Sequence, residues 1–181
     1  HNGGEGKPAR SRVAAGGKTG AGLGRWCRTL GVEPETIAAT PAAKAINESF
    51  AQIDAQNLNR KKFLQAHYPD LFLDIYAANR EGVYHSLYLE GTEGRIYVGN
   101  VWSREYFQSI MAGGGTQLTP PLLSRTTGKP TIFAVAPILD ENDKPQGLVG
   151  AGISLGYVEK MAQSMRVGET GYGIIVAKDG T

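Results

Sequence analysis

The chain has 181 residues, 41% of them hydrophobic and 20% charged, and a net charge of +2. That length gives a prior of one domain with a real core, and the small charge gives no support to a nucleic-acid or membrane-surface binder. A single cysteine, Cys27, excludes an internal disulfide and a cysteine-built zinc site. No run approaches the roughly 18 consecutive apolar residues of a membrane span.

Residues 1–30 are glycine-rich, with a short basic arm at Lys7-Pro-Ala-Arg-Ser-Arg12, and read as a flexible segment or a poorly formed helix start. Residues 31–68 read as stalk helices. Pro34 suits a first helical turn and Glu35 the positive end of its dipole. Phe50, Ile53, Leu58, Phe63 and Leu64 then recur at helical spacing, so two helices, or one broken near Thr40-Pro41, would cover the region.

After Tyr68-Pro-Asp70 the period changes. Leu71–Ala78 reads as a mostly buried strand, Asn79-Arg-Glu-Gly82 as a turn, and Val83–Leu89 as its hairpin partner. Arg95–Val98 is a short third strand. Ser103 is placed to cap a helix over Arg104–Met111, ended by Gly113-Gly-Gly115. Thr116–Leu123 carries two prolines and reads as an edge or irregular strand. Pro130–Leu139 and Gln146–Leu155 are strands joined by an acidic turn, Tyr157–Met165 is a short helix, and Gly171–Ala177 starts one more strand. Helices followed by an antiparallel meander predict an α+β fold, a helical stalk packed on a sheet. The chain ends on the turn sequence Lys178-Asp-Gly-Thr181, as a piece of a longer protein would.

Catalytic and metal signatures fail on spacing. Gly17-Lys-Thr19 has Arg12 where a phosphate-binding loop needs glycine, and no apolar strand precedes it. The turn Asp140-Glu-Asn-Asp143 would need glycine and an acid where Pro145 and Ala151 stand to be a calcium loop. The histidines His1, His67 and His85 are far apart, and His67 is placed to cap helix carbonyls. No catalytic residue, metal or cofactor is expected. Tyr84, Tyr88, Tyr97, Trp102, Tyr106 and Phe107 cluster with Arg95 and Arg104 within residues 84–107. They could line a small pocket in which Arg104 clamps an anion, or be sheet core beside a surface arginine.

Three segments carry a resemblance: Asp74-Ile-Tyr-Ala-Ala-Asn-Arg-Glu-Gly82, Trp102-Ser-Arg-Glu-Tyr-Phe107 and Ser124-Arg-Thr-Thr-Gly-Lys-Pro130. With Ala134-Val-Ala-Pro-Ile138, Gly147–Leu155 and Gly168-Glu-Thr-Gly-Tyr-Gly173 following in order, residues 34–181 resemble the double-Cache sensor family. The resemblance implies the extracytoplasmic, periplasmic or extracellular, sensor domain of a chemoreceptor, histidine kinase or cyclase. It implies a PAS-like membrane-distal module at residues 69–166 and the start of a truncated membrane-proximal module at 167–181. A membrane-anchored parent protein and a homodimeric full-length receptor follow from it as well, with a small-molecule ligand and no nucleic acid as partner.

The implied ligand residues are Arg104, Tyr106, Phe107, Trp102, Tyr88, Ser124 and Arg125. The pattern of the family's amino-acid-binding members is incomplete here. Leu122 and Ser124 replace a tyrosine and an aspartate, Gly152 replaces the aspartate that pairs with the ligand ammonium, and Gly99 stands where a tyrosine is expected. A buried ammonium without a counter-charge is costly, so the sequence favours an organic acid or a neutral metabolite. A domain that binds no ligand and serves dimerisation or partner docking, and an enzyme with an unrecognised site, stay open as alternatives.

Overall fold

The computed structural model describes residues 33–91, 94–164, 166–167 and 171–172. The glycine-rich segment at 1–30, Cys27 and most of the strand expected at Gly171–Ala177 lie outside the described residues.

The stalk begins with two short helices, α1 (Pro34–Ala38) and α2 (Pro41–Lys44), each with proline in its first turn. They break where Thr40-Pro41 predicts, because the Thr40 hydroxyl accepts the Ala43 N–H at 3.2 Å and caps the second helix. The long helix α3 (Ala51–His67) buries Ile53, Asn57, Lys61 and Leu64 along one side. His67 Nδ1 lies 2.9 Å from the Phe63 carbonyl, the capping role its position suggested. The turn that follows takes Asp70 through positive φ into the first strand.

Strands β1 (Phe72–Asn79) and β2 (Val83–Tyr88) form the expected hairpin. The Asn79 side-chain oxygen accepts the Glu81 and Val83 N–H groups, and Gly82 closes the turn at φ 77°, where a Cβ would meet the Trp102 backbone at 2.8 Å. β3 (Ile96–Asn100) follows as the sheet edge, then helix α4 (Glu105–Met111). This helix starts one residue later than the sequence suggests. Arg104, not Ser103, is its N-cap residue, and the Ser103 hydroxyl instead accepts a hydrogen bond from Arg125 Nη2.

The proline-containing segment splits into β4 (Gln117–Leu118) and β5 (Leu122–Leu123), both paired with β6 (Pro130–Leu139). Strand β7 (Pro145–Ser154) and helix α5 (Leu155–Ser164) follow, and then a separate short pair, β8 (Arg166–Val167) with β9 (Gly171–Tyr172). The main sheet is antiparallel with seven strands in the order β3-β2-β1-β7-β6-β4, β5 also pairing with β6. The architecture is α+β, as the sequence predicts.

Alternation along the strands divides the core in two. Ile75, Ala77, Ala134, Ala136, Val149, Ala151 and Ile153 face the stalk, where Ile37, Ile46, Ile53 and Leu64 cover them. On the other face Tyr76, Tyr84, Phe133, Val135 and Leu148 pack against Tyr106, Phe107 and Ile110 of α4. The candidate site lies on this second face.

Candidate functional site

Where α4 meets the centre of the sheet, a small cavity is lined by Asp74 and Tyr76 of β1, Tyr84 of β2, Val101, Arg104, Tyr106, Phe133 of β6, and the segment Leu122–Thr126 except Leu123. It holds about 20 Å³, room for roughly one water. Its walls are aromatic. Phe133 lies 5.6 Å from Tyr76, ring centre to ring centre, in an edge-on contact, and stacks on Tyr106 at 6.2 Å, while Tyr84 meets Tyr76 edge-on at 6.0 Å.

The roof is the turn between β5 and β6. The Ser124 hydroxyl accepts the N–H groups of Thr126 and Thr127, and the Ser124 carbonyl accepts that of Gly128. Two arginines fasten this turn to the rest of the fold. Arg104 Nη2 donates to the Leu123 carbonyl at 3.0 Å, and Arg125 donates to the Asn100 carbonyl and to Ser103. Lys129 adds an exposed clasp to Tyr88 and Glu90 at the end of β2.

Of the ligand residues named from sequence, Arg104, Tyr106, Ser124 and Arg125 line this cavity together. Phe107 is fully buried behind it, as core under α4. Trp102 is 55% exposed on the outside, against Phe107, and Tyr88 is half-buried in the clasp with Glu90 and Lys129.

The residue that sequence reasoning missed is Asp74. Its carboxylate is buried in the cavity wall. Oδ2 accepts the Ser86 hydroxyl at 3.1 Å, while Oδ1 has no hydrogen bond of ordinary geometry. Burial pushes its carboxyl up to about 6, against the weaker opposing pull of the Ser86 and Thr126 hydroxyls and the Gly152 N–H. The Tyr76 hydroxyl beside it is likewise buried without such a bond, and burial, with the Tyr106 hydroxyl near it, raises this phenol well above its usual value. The signal was legible: one acid inside the otherwise apolar run Leu71–Ala78.

Neighbouring strands explain how the acid fits. Asp74 pairs with Gly152 across β1 and β7, and a Cβ on Gly152 would collide with Asp74 Oδ1. Tyr76 stands opposite Gly150 and Tyr84 opposite Gly99, and in both cases a Cβ would strike the phenol ring. Each glycine leaves the space that a large polar side chain on the next strand fills. Ser124 and Gly152 lack the two carboxylates of the amino-acid-binding pattern, as the sequence reading had it, while Asp74 brings a carboxyl into the cavity wall from the strand opposite Gly152.

Among the described residues no helix is long and apolar enough to cross a membrane. No protein-family model matches the chain, and no curated protein matches it in sequence. Solved structures do match. The ligand-binding domain of the Pseudomonas fluorescens chemoreceptor CtaA, in complex with L-serine, superposes with a TM-score of 0.62 at 20% identity over 87% of this chain and 63% of that one. The ligand-binding domain of the Campylobacter jejuni chemoreceptor Tlp3, in complex with 4-methylisoleucine, gives 0.60 at 14% identity over 81% and 55%. The extracellular domain of the putative histidine kinase mmHK1S-Z2 gives 0.53 at 19% identity over 84% and 64%. The chain thus spans between 55% and 64% of the length of these domains. It shares the α+β fold of these chemoreceptor and histidine-kinase domains, the fold class expected from its sequence.

Proposed function

We propose that this chain is the ligand-binding part of an extracytoplasmic sensor in a membrane-anchored receptor, and that it acts by binding a small molecule, not by turnover. The observation that carries the reading is the cavity under α4, where Arg104 and buried polar side chains converge beneath a turn held by removable hydrogen bonds. Arg104 spends one guanidinium N–H on the Leu123 carbonyl. Its other donors can take the anionic end of a ligand.

In this reading residues 69–166 form the ligand-binding module and residues from 167 begin a second one, consistent with the larger size of the structural neighbours. Full-length receptors would pair as homodimers. A ligand larger than water must lift the Ser124–Lys129 turn, and closure of that turn around it is the change that a sensor can transmit. The neighbours CtaA and Tlp3 hold amino acids. The preference for an organic acid or neutral metabolite read from sequence rested on a pocket without carboxylates, and Asp74 removes that ground.

The test is a thermal-shift panel of amino acids, organic acids and neutral metabolites. At least one compound should raise the melting temperature, and Arg104→Ala should abolish the rise. The small size of the cavity favours one second reading, a ligand-free docking or dimerisation domain. A panel in which nothing raises the melting temperature would support that reading and end the first.

A further inference from the structure

We propose that Arg125 is a strap that keeps the empty cavity shut, and that a ligand has to break it to bind. Arg125 then sets how readily the site opens and does not hold the ligand itself. The inference rests on the sensor reading above and gives that site its gate.

The two lips of the cavity are built differently. One is the loop from β3 into α4, which contributes Val101 and Arg104 to the lining. It is fastened to the β1–β2 turn, where the Val101 N–H donates to the Gly82 carbonyl at 2.8 Å and Asn100 Nδ2 to the Glu81 carbonyl at 3.2 Å. Within it the Asn100 side-chain oxygen accepts the Trp102 N–H at 2.7 Å, and Gln108 Nε2 donates to the Trp102 carbonyl at 2.6 Å. The other lip is the turn Ser124–Lys129, whose backbone bonds are its own. The Ser124 N–H donates to the Lys129 carbonyl at 3.1 Å and the Gly128 N–H to the Ser124 carbonyl at 2.9 Å, while the Ser124 hydroxyl accepts the Thr126 and Thr127 N–H groups. A turn paired internally can swing as a unit beyond the two-residue strand β5 without orphaning these groups.

Arg125 joins the lips. Its backbone belongs to the turn, while Nη1 donates to the Asn100 carbonyl and Nη2 to the Ser103 hydroxyl at 3.2 Å, both on the fixed lip. Both terminal nitrogens are thus engaged with protein across the mouth, whereas an arginine that grips a ligand turns paired donors toward it. The remaining ties are of other kinds. Lys129 meets Tyr88 and Glu90 at the surface, where an ion pair contributes little. Arg104 donates to the Leu123 carbonyl, and an anion on Arg104 can take that partner's place when the turn lifts. The Thr126 hydroxyl reaches the Asp74 carboxyl from the roof.

The closed cavity holds about 20 Å³, so a ligand larger than water binds an opened form and the strap counts against it. Apparent affinity is the intrinsic affinity reduced by the fraction of molecules that are open. Arg125 is exposed and regains water when the strap breaks, so its charge-assisted bonds lower that fraction by roughly tenfold. Removing the strap therefore strengthens binding, the opposite of removing a ligand contact.

The experiment reads opening and binding separately. For opening, Val101→Cys in a Cys27→Ser background places one thiol in the cavity lining, and its labelling by a small thiol reagent is timed with and without Arg125→Ala. For binding, calorimetry with the standard amino acids and short mono- and dicarboxylic acids compares wild type, Arg125→Ala, Ser103→Ala and Arg104→Ala. Arg125→Ala should speed labelling about tenfold and tighten the best binder by a similar factor. Ser103→Ala, which removes one end of the strap, should tighten it by roughly threefold, while Arg104→Ala loses it. Weaker binding in Arg125→Ala would return Arg125 to the ligand residues and overturn the strap. Labelling that Arg125→Ala leaves unchanged would overturn it as well. Faster labelling with no compound bound by any variant would uphold the strap as a closure and sink the sensor reading instead.

Discussion

The two faces of the sheet are built to different rules. The stalk face is closed by aliphatic side chains, Ala77, Ala136, Ile138 and Val149 with Ile37, Ile46 and Ile53, and Ile75 with Leu64. Polar contacts with the sheet include His85 Nδ1 meeting Asp54 at 2.8 Å, with Phe50 stacked on the imidazole at 3.9 Å, and the Asn47 side chain bonded to Gln146 and to the Arg80 N–H. The pocket face includes a carboxylate oxygen and a phenol with no ordinary hydrogen bond, and glycines where the stalk face has valine and alanine. One face is optimised for stability. The other gives up stability to keep polar atoms available, as binding sites do.

The contrast can be broken most forcefully by truncation on the stalk face. Ile138→Ala or Leu64→Ala, both essentially unexposed, should cost about 2–5 kcal/mol in urea unfolding, since nothing can refill the space. A cost below about 1 kcal/mol would mean that the stalk is loosely docked.

The pocket face should behave in the opposite sense. Asp74 keeps its proton up to about pH 6 in the fold, against 3.8 for an ordinary aspartate. The unfolded chain therefore loses this proton first as pH rises, and stability falls between about pH 4 and 6 by on the order of 3 kcal/mol. Asp74→Asn removes that loss. It should raise stability at neutral pH by roughly 1–3 kcal/mol, with the gain fading as pH falls from about 6 and gone by about pH 4. Paired denaturation curves across pH check this.

A smaller effect tests the cross-strand fit. Gly152→Ala places a methyl against Asp74 Oδ1 and within 3.0 Å of Thr131 Cγ2, and should cost roughly 1–3 kcal/mol. Adding Asp74→Ala should recover part of that cost, so the double mutant departs from additivity. The smallest effect belongs to the stalk margin. Asp54→Asn should cost under about 1 kcal/mol, because the pair with His85 is partly exposed, with side chains 20% and 23% accessible.

Much of the fold was legible from periodicity and turn chemistry. The apolar runs at 71–78, 83–89 and 130–139, bounded by Asn79-Arg-Glu-Gly82 and Asp140–Lys144, are observed as strands within a residue or two. The start of α4 was misjudged because Ser103 looks like a cap, whereas its hydroxyl serves Arg125 from a segment 22 residues away. Half of the site could be read for a similar reason. Arg104, Tyr106, Ser124 and Arg125 sit in local motifs, but the place of Asp74 in the pocket depends on which strand lies beside it. Pairing of β1 with β7 joins residues almost 80 apart in sequence, so Gly152 reads as a missing acid until Asp74 is seen opposite it. Trp102 and Tyr88 were named for their chemistry, but Trp102 is exposed and Tyr88 is half-buried in the clasp with Lys129 and Glu90.

The most direct test of the central claim is a crystal structure of the chain with whichever metabolite most raises its melting temperature. The compound should lie under a lifted Ser124–Lys129 turn, in the cavity under α4, with a polar group on Arg104. Density for it against the stalk helices, or in the pocket without contact to Arg104, would contradict the account.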